Sequence, residues 1–209
     1  MPASLLDDSL QIPFLQEFWR KTTHMIALVI PAGYVLLGLT RSEMLAVMIP
    51  VAILMVIVDI ARLRCWSFWT GFWEHIFGRM IRPHEKRGDF TGATYILVTV
   101  CLTVALFDKP VAVAAITFII VGDTFAALVG RRWGRHRIGA KSLEGSTACL
   151  ISTLVVAVAV PNLAWPVGLI GAVSATVVEA LPLGMDDNVS VPLLSGLVMT
   201  LSYSVLPAF

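Results

Sequence analysis

The chain has 209 residues, of which 57% are hydrophobic and only 14% are charged, and its formal net charge is +1. Soluble domains average about 45–50% apolar and about 25% charged residues, so this composition excludes an ordinary soluble domain. It predicts a single all-α domain over residues 1–209, held in a membrane by about seven transmembrane helices. No nucleic-acid partner is expected.

The chain begins with a mixed stretch and then becomes a series of apolar runs. Residues 1–20 alternate leucine and phenylalanine with polar residues, which is typical of a short helix on the membrane surface. A helix needs about 20 residues to cross a bilayer. The predicted spans are residues 22–39, 43–61, 92–108, 110–130, 143–160, 164–181 and 190–207.

Residues 64–80, between the second and third spans, are rich in tryptophan. Tryptophan prefers the membrane interface, so this stretch predicts an interfacial helix. It is either a simple aromatic anchor or a wall for a long lipid.

Cations are distributed unevenly over the alternating spans. Only Arg41 and Lys109 fall on one side, and every other lysine and arginine falls on the side of the N-terminus. The positive-inside rule therefore predicts a cytoplasmic N-terminus and supports an odd number of spans. The short chain, without an added soluble domain, favours a prokaryotic plasma membrane.

Acidic residues gather on the same predicted cytoplasmic face. They lie close to span ends or in the last turn on that side, and they are Asp59, Asp123, Glu144, Glu179, Asp186 and Asp187. Ionisable groups at membrane depth are costly and are functional candidates. The sequence thus predicts a polar site at the cytoplasmic interface.

The densest group of candidate residues lies in 121–148. Between Asp123 and Glu144 the chain holds glycines and cations, namely Gly130, Arg131, Arg132, Gly134, Arg135, Arg137, Gly139 and Lys141. Glycine lets backbone N–H groups approach phosphate oxygens, cations offset phosphate charge, and carboxylates hold a divalent ion. The arginines alone would equally suit a basic loop that only fixes topology, but such a loop does not explain the two acids.

The spacing from Gly134 to Ser142 is close to that of a P-loop. It contains one residue too many, and no strand precedes it, which argues against a P-loop fold. We therefore predict a phosphate site without that fold.

Three further groups allow two interpretations each. Glu17, Lys21 and His24 are spaced by four and three residues, and they are either topogenic and interior residues or contacts for phosphate and hydroxyl. Asp59 and Arg62 form either an ion pair at a helix end or part of the site. The run 186–188 is either an ordinary turn or a contact for metal or nucleotide.

These segments resemble the membrane lipid-alcohol kinases grouped with dolichol kinase, phytol kinase and CTP-dependent diacylglycerol kinase. The similarity is collinear from residue 17 to about residue 196. It rests on Glu17-x-x-Arg20-Lys21-x-x-His24, Asp59-x-x-Arg62, Arg82-Pro-x-Glu85, Thr91-Gly92-Ala93-Thr94-Tyr95, Gly122-Asp123-x-x-Ala126-x-x-Gly130, Gly139-x-Lys141-Ser142-x-Glu144-Gly145-Ser146 and Asp186-Asp187-Asn188-x-x-x-Pro192.

The resemblance implies a kinase that uses CTP and Mg²⁺ to phosphorylate a lipid alcohol at the cytoplasmic face. It implies catalytic roles for Arg20, Lys21, Asp59, Asp123 and Lys141, with Asp59 or His24 as the base. The implied metal ligands are Asp123, Glu144, Asp186 and Asp187. The implied nucleotide site comprises Gly130, Gly134, Gly139, Lys141, Ser142, Glu144, Gly145 and Asn188. The implied lipid-head or supporting residues are His24, Arg62, Arg82, Glu85, Thr94 and Glu179.

Two rival functions remain open at this point. The chain is more distantly similar to CDP-diacylglycerol synthase, but Ala127 and the pair Gly139-Ala140 depart from that enzyme's pattern, which favours the kinase. A small transporter would bind cations at buried acids, but these acids cluster at one face and no inverted repeat is evident. The acceptor is open among polyprenol, dolichol, phytol-like alcohol and diacylglycerol, and a homodimer is an open alternative for the assembly.

Overall fold

The computed structural model describes residues 14–65, 88–139 and 141–206, and almost all of this part of the chain is helical. The helices are α1 (Phe14–Ile26), α2 (Val29–Leu36), α3 (Arg41–Leu63), α4 (Gly92–Leu106), α5 (Lys109–Trp133), α6 (Leu143–Ala159), α7 (Trp165–Ala180) and α8 (Asp187–Val205). The strands β1 (Arg137–Ile138) and β2 (Lys141–Ser142) form a small antiparallel pair before α6. The predicted all-α class is confirmed.

Three helices, α3, α5 and α8, are long and apolar enough to cross a membrane. The helices α4, α6 and α7 are apolar but shorter, with 15, 17 and 16 residues. The chain therefore has the transmembrane character that its composition predicts. The count of seven spans and the cytoplasmic N-terminus stay predictions. Most of the surface segment 1–20 and of the tryptophan-rich segment 64–80 lies outside the described residues.

The predicted first span, 22–39, is divided between α1 and α2. Pro31 has no N–H to donate to the carbonyl of Ala27, and that carbonyl instead accepts the N–H of Ile30 at 3.0 Å. The helix tightens locally into a turn at this point. As a result, α1 is a separate short helix that packs against α5.

The centre of the bundle is α5, which packs against α1, α2, α4, α6, α7 and α8. Ten residues of this helix, 111–120, are apolar or hydroxyl-bearing, and most are buried on every side. A helix that is apolar all round belongs in the interior of a bundle. Asp123 lies three residues beyond this stretch in the same helix, so the core of the fold fixes the position of the acid.

The bundle has two distinct polar ends because successive helices alternate in direction. At one end, Arg41 donates to the carbonyl of Phe107 at 3.0 Å and to Asp108 at 3.1 Å. There Lys109 also donates to the carbonyl of Leu39 at 2.7 Å and lies 4.6 Å from the ring centroid of Tyr34. These contacts join helix termini. The other end brings together the C-termini of α3, α5 and α7 with the N-termini of α4, α6 and α8, and it holds the candidate site.

Candidate functional site

Three carboxylates from three helices meet at this end of the bundle. Asp123 belongs to α5, Glu179 ends α7 and Asp187 begins α8, and one oxygen of each lies within 4.8 Å of the others. We call these three residues the acidic cluster. Glu179 is only 5% exposed, and its Oε2 has no hydrogen-bond partner among the described residues. A buried carboxylate oxygen without a donor is costly unless a cation compensates for it.

Lys141 reaches the acidic cluster from the hairpin. Its Nζ lies 2.9 Å from Glu179 Oε1 and 2.9 Å from Asp187 Oδ2, and it donates to the main-chain carbonyl of Glu179. Gly139, with φ of +61°, lies in the turn that brings β2 back beside β1. Burial alone would lower the pKa of Lys141, but the two carboxylates raise it above its ordinary value. Lys141 is therefore a permanent cation at neutral pH.

A second lysine approaches the acidic cluster from α1. Lys21 is 1% exposed and donates from Nζ to Asp123 Oδ2. His24, one turn further along α1, has its Nε2 at 3.9 Å from the same oxygen, and this nitrogen has no hydrogen-bond partner in the described part of the chain. The structure thus brings the predicted residues Lys21, His24, Asp123, Lys141 and Asp187 to one place.

This arrangement fits Mg²⁺ and phosphate. Magnesium prefers oxygen ligands and is commonly held by one or two carboxylates together with waters and substrate phosphates. The acidic cluster offers such oxygens, one of them without a partner. Two lysines lie directly beside them, and ammonium groups are suited to phosphate oxygens as point charges.

Two of the predicted metal ligands lie outside the acidic cluster. Glu144 Oε1 lies 2.8 Å from Nδ1 of His136, and its oxygens also accept the N–H of His136. Asp186 caps α8 and accepts from the N–H and Nδ2 of Asn188 at 2.8 and 2.7 Å. Both carboxylates form local hydrogen bonds, so their metal role stays a prediction that this geometry does not favour.

Glu179 takes their place in the cluster, although its sequence position led us to expect a lipid-head or supporting role. A signal for it was present, because only residues 181–186 separate the end of α7 from the start of α8. A connection this short keeps Glu179 and Asp187 at the same end of the bundle. Asn188, a predicted nucleotide contact, is 4% exposed and its Oδ1 has no partner among the residues described.

The predicted phosphate glycines pack tightly around Ser142. A Cβ on Gly130 or Gly134 would come within 2.9 or 2.8 Å of Ser142 Oγ, and one on Gly145 would lie 2.8 Å from the carbonyl of Ala126. Ser142 itself is 3% exposed and accepts the N–H of Gly145 as the N-cap of α6. These residues let the end of α5 approach the start of α6. Their contact with phosphate stays a prediction.

Gly145→Ala is expected to destabilise the protein by about 1–3 kcal/mol, because the new methyl group meets main-chain atoms that cannot move aside easily. Gly33→Ala in α2 is the matched control, since no described atom lies within 4 Å of its Cβ position and alanine favours the helix. Thermal unfolding in detergent checks both. Equal stability of the two variants would show that close approach of α5 and α6 is not required.

Asp59 is a structural anchor in this geometry. It is 1% exposed, and its Oδ1 accepts from Arg62 Nε at 2.9 Å. Its Oδ2 accepts from the N–H and Oγ1 of Thr91 at 2.7 and 2.9 Å and from Thr94 Oγ1 at 2.6 Å. Arg62 also donates to the carbonyl of Asp89 at 2.6 Å. These bonds connect the end of α3 to the start of α4, which favours the ion-pair interpretation over a proton-accepting role.

Two of the predicted lipid-head or supporting residues, Arg82 and Glu85, lie outside the described residues.

Asp59→Asn is expected to lower the free energy of unfolding by about 3–5 kcal/mol, because breaking a buried ion pair leaves a charged partner uncompensated. Asp108→Asn, which removes a 92% exposed carboxylate at the opposite end, is the control and is expected to change stability little. Unfolding in detergent is the measurement. A stable Asp59→Asn protein without turnover would restore the catalytic role.

Comparison with known proteins gives one uncharacterised relative and several relatives that are named as kinases. The chain is 28% identical to an uncharacterised protein of Rickettsia prowazekii over 186 residues, which cover 83% of this chain and 88% of that protein. It is 28% identical over 162 residues to a probable chloroplastic phytol kinase of Triticum aestivum, covering 67% of this chain and 54% of the relative. It is 27% identical over 89 residues to CTP-dependent diacylglycerol kinase 1 of Schizosaccharomyces pombe, covering 41% and 40%.

No family model and no solved structure matches the chain. The chain spans about half the length of the phytol kinases that it matches. The aligned relatives nevertheless carry the names that the motifs indicate. The resemblance of this chain to the family of phytol kinases and CTP-dependent diacylglycerol kinases is confirmed.

Proposed function

We propose that the chain is a membrane kinase that transfers the γ-phosphoryl group of CTP to the hydroxyl of a lipid alcohol at the cytoplasmic face of a prokaryotic plasma membrane. The observation that carries the proposal is the acidic cluster with Lys21 and Lys141 beside it. The kinase names of the relatives support the reaction class, and the name of the Schizosaccharomyces pombe relative supports CTP.

In this proposal the protein acts mainly by positioning and by electrostatic stabilisation, as phosphoryl transfer requires. The acidic cluster would hold Mg²⁺, which when bound offsets the charge of the phosphates. Lys141 and Lys21 approach the cluster from two sides and would pair with phosphate oxygens. Arg20, next to Lys21 on α1, would stabilise the transferred group.

The chemical balance is simple. The lipid hydroxyl oxygen forms a bond to the γ-phosphorus while the bond from that phosphorus to the bridging oxygen breaks, and CDP leaves. The hydroxyl proton must be accepted, and His24 has a buried ring nitrogen without a partner in the described part of the chain. Because Asp59 already accepts four hydrogen bonds, His24 is the better placed of the two candidate bases.

The test is an assay in detergent with γ-labelled CTP or ATP, Mg²⁺, a panel of lipid alcohols and, as the acceptor that a cytidylyltransferase needs, phosphatidate. We expect labelled lipid together with CDP, and the panel identifies the acceptor and donor at once. Labelled pyrophosphate with unlabelled lipid would instead indicate a cytidylyltransferase. A folded protein that forms neither product would contradict both enzymatic functions and would favour the transporter.

A further inference from the structure

A carboxylate that the proposed reaction does not use lies one turn before Lys21. Glu17 in α1 is 2% exposed. Its Oε2 accepts from Arg20 Nε at 3.0 Å and lies 3.6 Å from a terminal nitrogen of Arg131. Burying a carboxylate is costly, and one guanidinium could balance its charge. Here one carboxylate holds two guanidiniums, one from α1 and one from the last turn of α5.

Glu17 also belongs to the contact that joins α1 to α5. Among the described residues, Glu17 pairs with Arg131 and Lys21 pairs with Asp123 across this contact. His24 also lies 3.9 Å from Asp123. Asp123 and Arg131 are eight residues apart, which is about 12 Å along a helix axis. The two arginines therefore lie beyond the acidic cluster, toward the end of α5 and the water. A nucleotide that enters from water with its metal at the cluster would pass them.

The exposure of the three side chains differs in a way that suits a ligand. Glu17 is buried, while Arg20 and Arg131 keep 19% and 31% of their side-chain surface exposed. A guanidinium has five donors in a planar fork whose geometry matches two phosphate oxygens. Glu17 and the two arginines together carry a net positive charge.

We infer that Glu17 is a positioning residue that holds Arg20 and Arg131 side by side as a subsite for the phosphate chain of the nucleotide, with Arg131 as a further phosphate-binding residue. This inference rests on the proposed function, because it names how the same site binds its donor. Burial would raise the pKa of Glu17, but Arg20, Lys21 and Arg131 lower it below its ordinary value. Glu17 is thus ionised at neutral pH and keeps both arginines oriented.

The experiment compares Glu17→Gln, Arg131→Gln and the double variant with Arg64→Gln as the control. Arg64 is an exposed arginine in the turn after α3 and belongs to none of the predicted site groups. We expect each single variant to raise the KM for CTP roughly tenfold, with the KM for the lipid alcohol unchanged. The double variant should be no worse than the worse single one, because both changes remove the same arrangement. Arg64→Gln should match the wild type.

Direct binding of CTP with Mg²⁺, measured by calorimetry in detergent, separates this inference from the proposed function. If the wild type binds CTP but transfers no phosphoryl group, the proposed reaction fails, and weaker binding by Glu17→Gln still supports the subsite. Unchanged CTP affinity in folded Glu17→Gln and Arg131→Gln would overturn the inference, as would a wild type that binds no nucleotide.

Thermal stability is the second readout. If the variants lose thermal stability but keep their CTP affinity, Glu17 only joins the two helices and the inference is wrong. Should Glu17→Gln fail to fold, Arg131→Gln and Arg131→Lys decide the matter, since Arg131 lies at an exposed helix end.

Discussion

Asp123→Asn is expected to reduce phosphoryl transfer by roughly 10³-fold or more while the protein still purifies as a folded monodisperse species. Asp123 is the member of the acidic cluster that the core helix α5 places at a fixed depth, between Lys21 on one side and Glu179 and Asp187 on the other. An amide keeps the shape of the carboxylate but loses its charge and half of its oxygen ligands. The cluster would then hold a divalent cation poorly.

The measurement is turnover with labelled CTP, paired with Mn²⁺ binding by the same detergent-purified protein. Asp123→Asn should lose both, whereas Asp108→Asn at the opposite end should lose neither. The variant also leaves the buried ammonium of Lys21 without its partner, so a lower melting temperature is expected alongside. Near-normal turnover in the Asn variant would remove the metal assignment altogether.

Glu144→Gln distinguishes between two sets of metal ligands. The acidic cluster of the structure contains Glu179 but not Glu144, whereas the set implied by the family resemblance contains Glu144 but not Glu179. The structure pairs Glu144 with His136, so its loss should weaken Mn²⁺ binding less than the loss of Glu179. If Glu144→Gln were as damaging as Asp123→Asn, the ligand set implied by the family resemblance would be the correct one.

The sequence predicts the fold class, and it also indicates where Asp123 and Asp187 lie along their helices. Both follow from local composition. An acid that directly follows an apolar run marks the polar edge of the apolar part of a helix, and alternating helix directions then bring such edges to the same side of the bundle. Asp123 and Asp187 could be assigned in this way. The shift of the first span into α1 and α2 was also readable in principle, since Pro31 cannot donate its N–H.

The remaining assignments depend on contacts between distant segments, which spacing does not reveal. For Asp59 the sequence left open an ion pair or a catalytic role, and it did not reveal that Thr91 and Thr94, more than 30 positions later, donate to its carboxylate. Gly134 and Ser142 let two helices approach closely, which their spacing does not reveal, and their contact with phosphate stays a prediction. In each case the same residue type suits both roles, and the three-dimensional neighbours add information that the sequence lacks.

Lys141→Met is expected to change two binding constants in opposite directions. Methionine preserves most of the apolar stem but removes the ammonium that lies 2.9 Å from both Glu179 and Asp187. A lost charge-assisted contact with phosphate costs about 1.5–3 kcal/mol, so the KM for CTP should rise, or kcat/KM should fall, by roughly 10- to 100-fold. In the absence of nucleotide, however, Mn²⁺ should bind more tightly than to the wild type. The reason is that a cation then no longer competes with Lys141 for the two carboxylates.

Mn²⁺ binding without nucleotide and steady-state kinetics with CTP measure the two effects separately. Lys109→Met is the control, because it removes an ammonium at the opposite end of the bundle, where Lys109 donates to a main-chain carbonyl. It should leave both binding constants near their wild-type values. If Lys141→Met weakened the binding of both Mn²⁺ and CTP, we would conclude that the lysine organises the acidic cluster and does not compete with the metal for it. If neither constant moved, Lys141 would have no part in binding the nucleotide, and the electrostatic account of the site would have to rest on Lys21 and the arginines of α1 and α5.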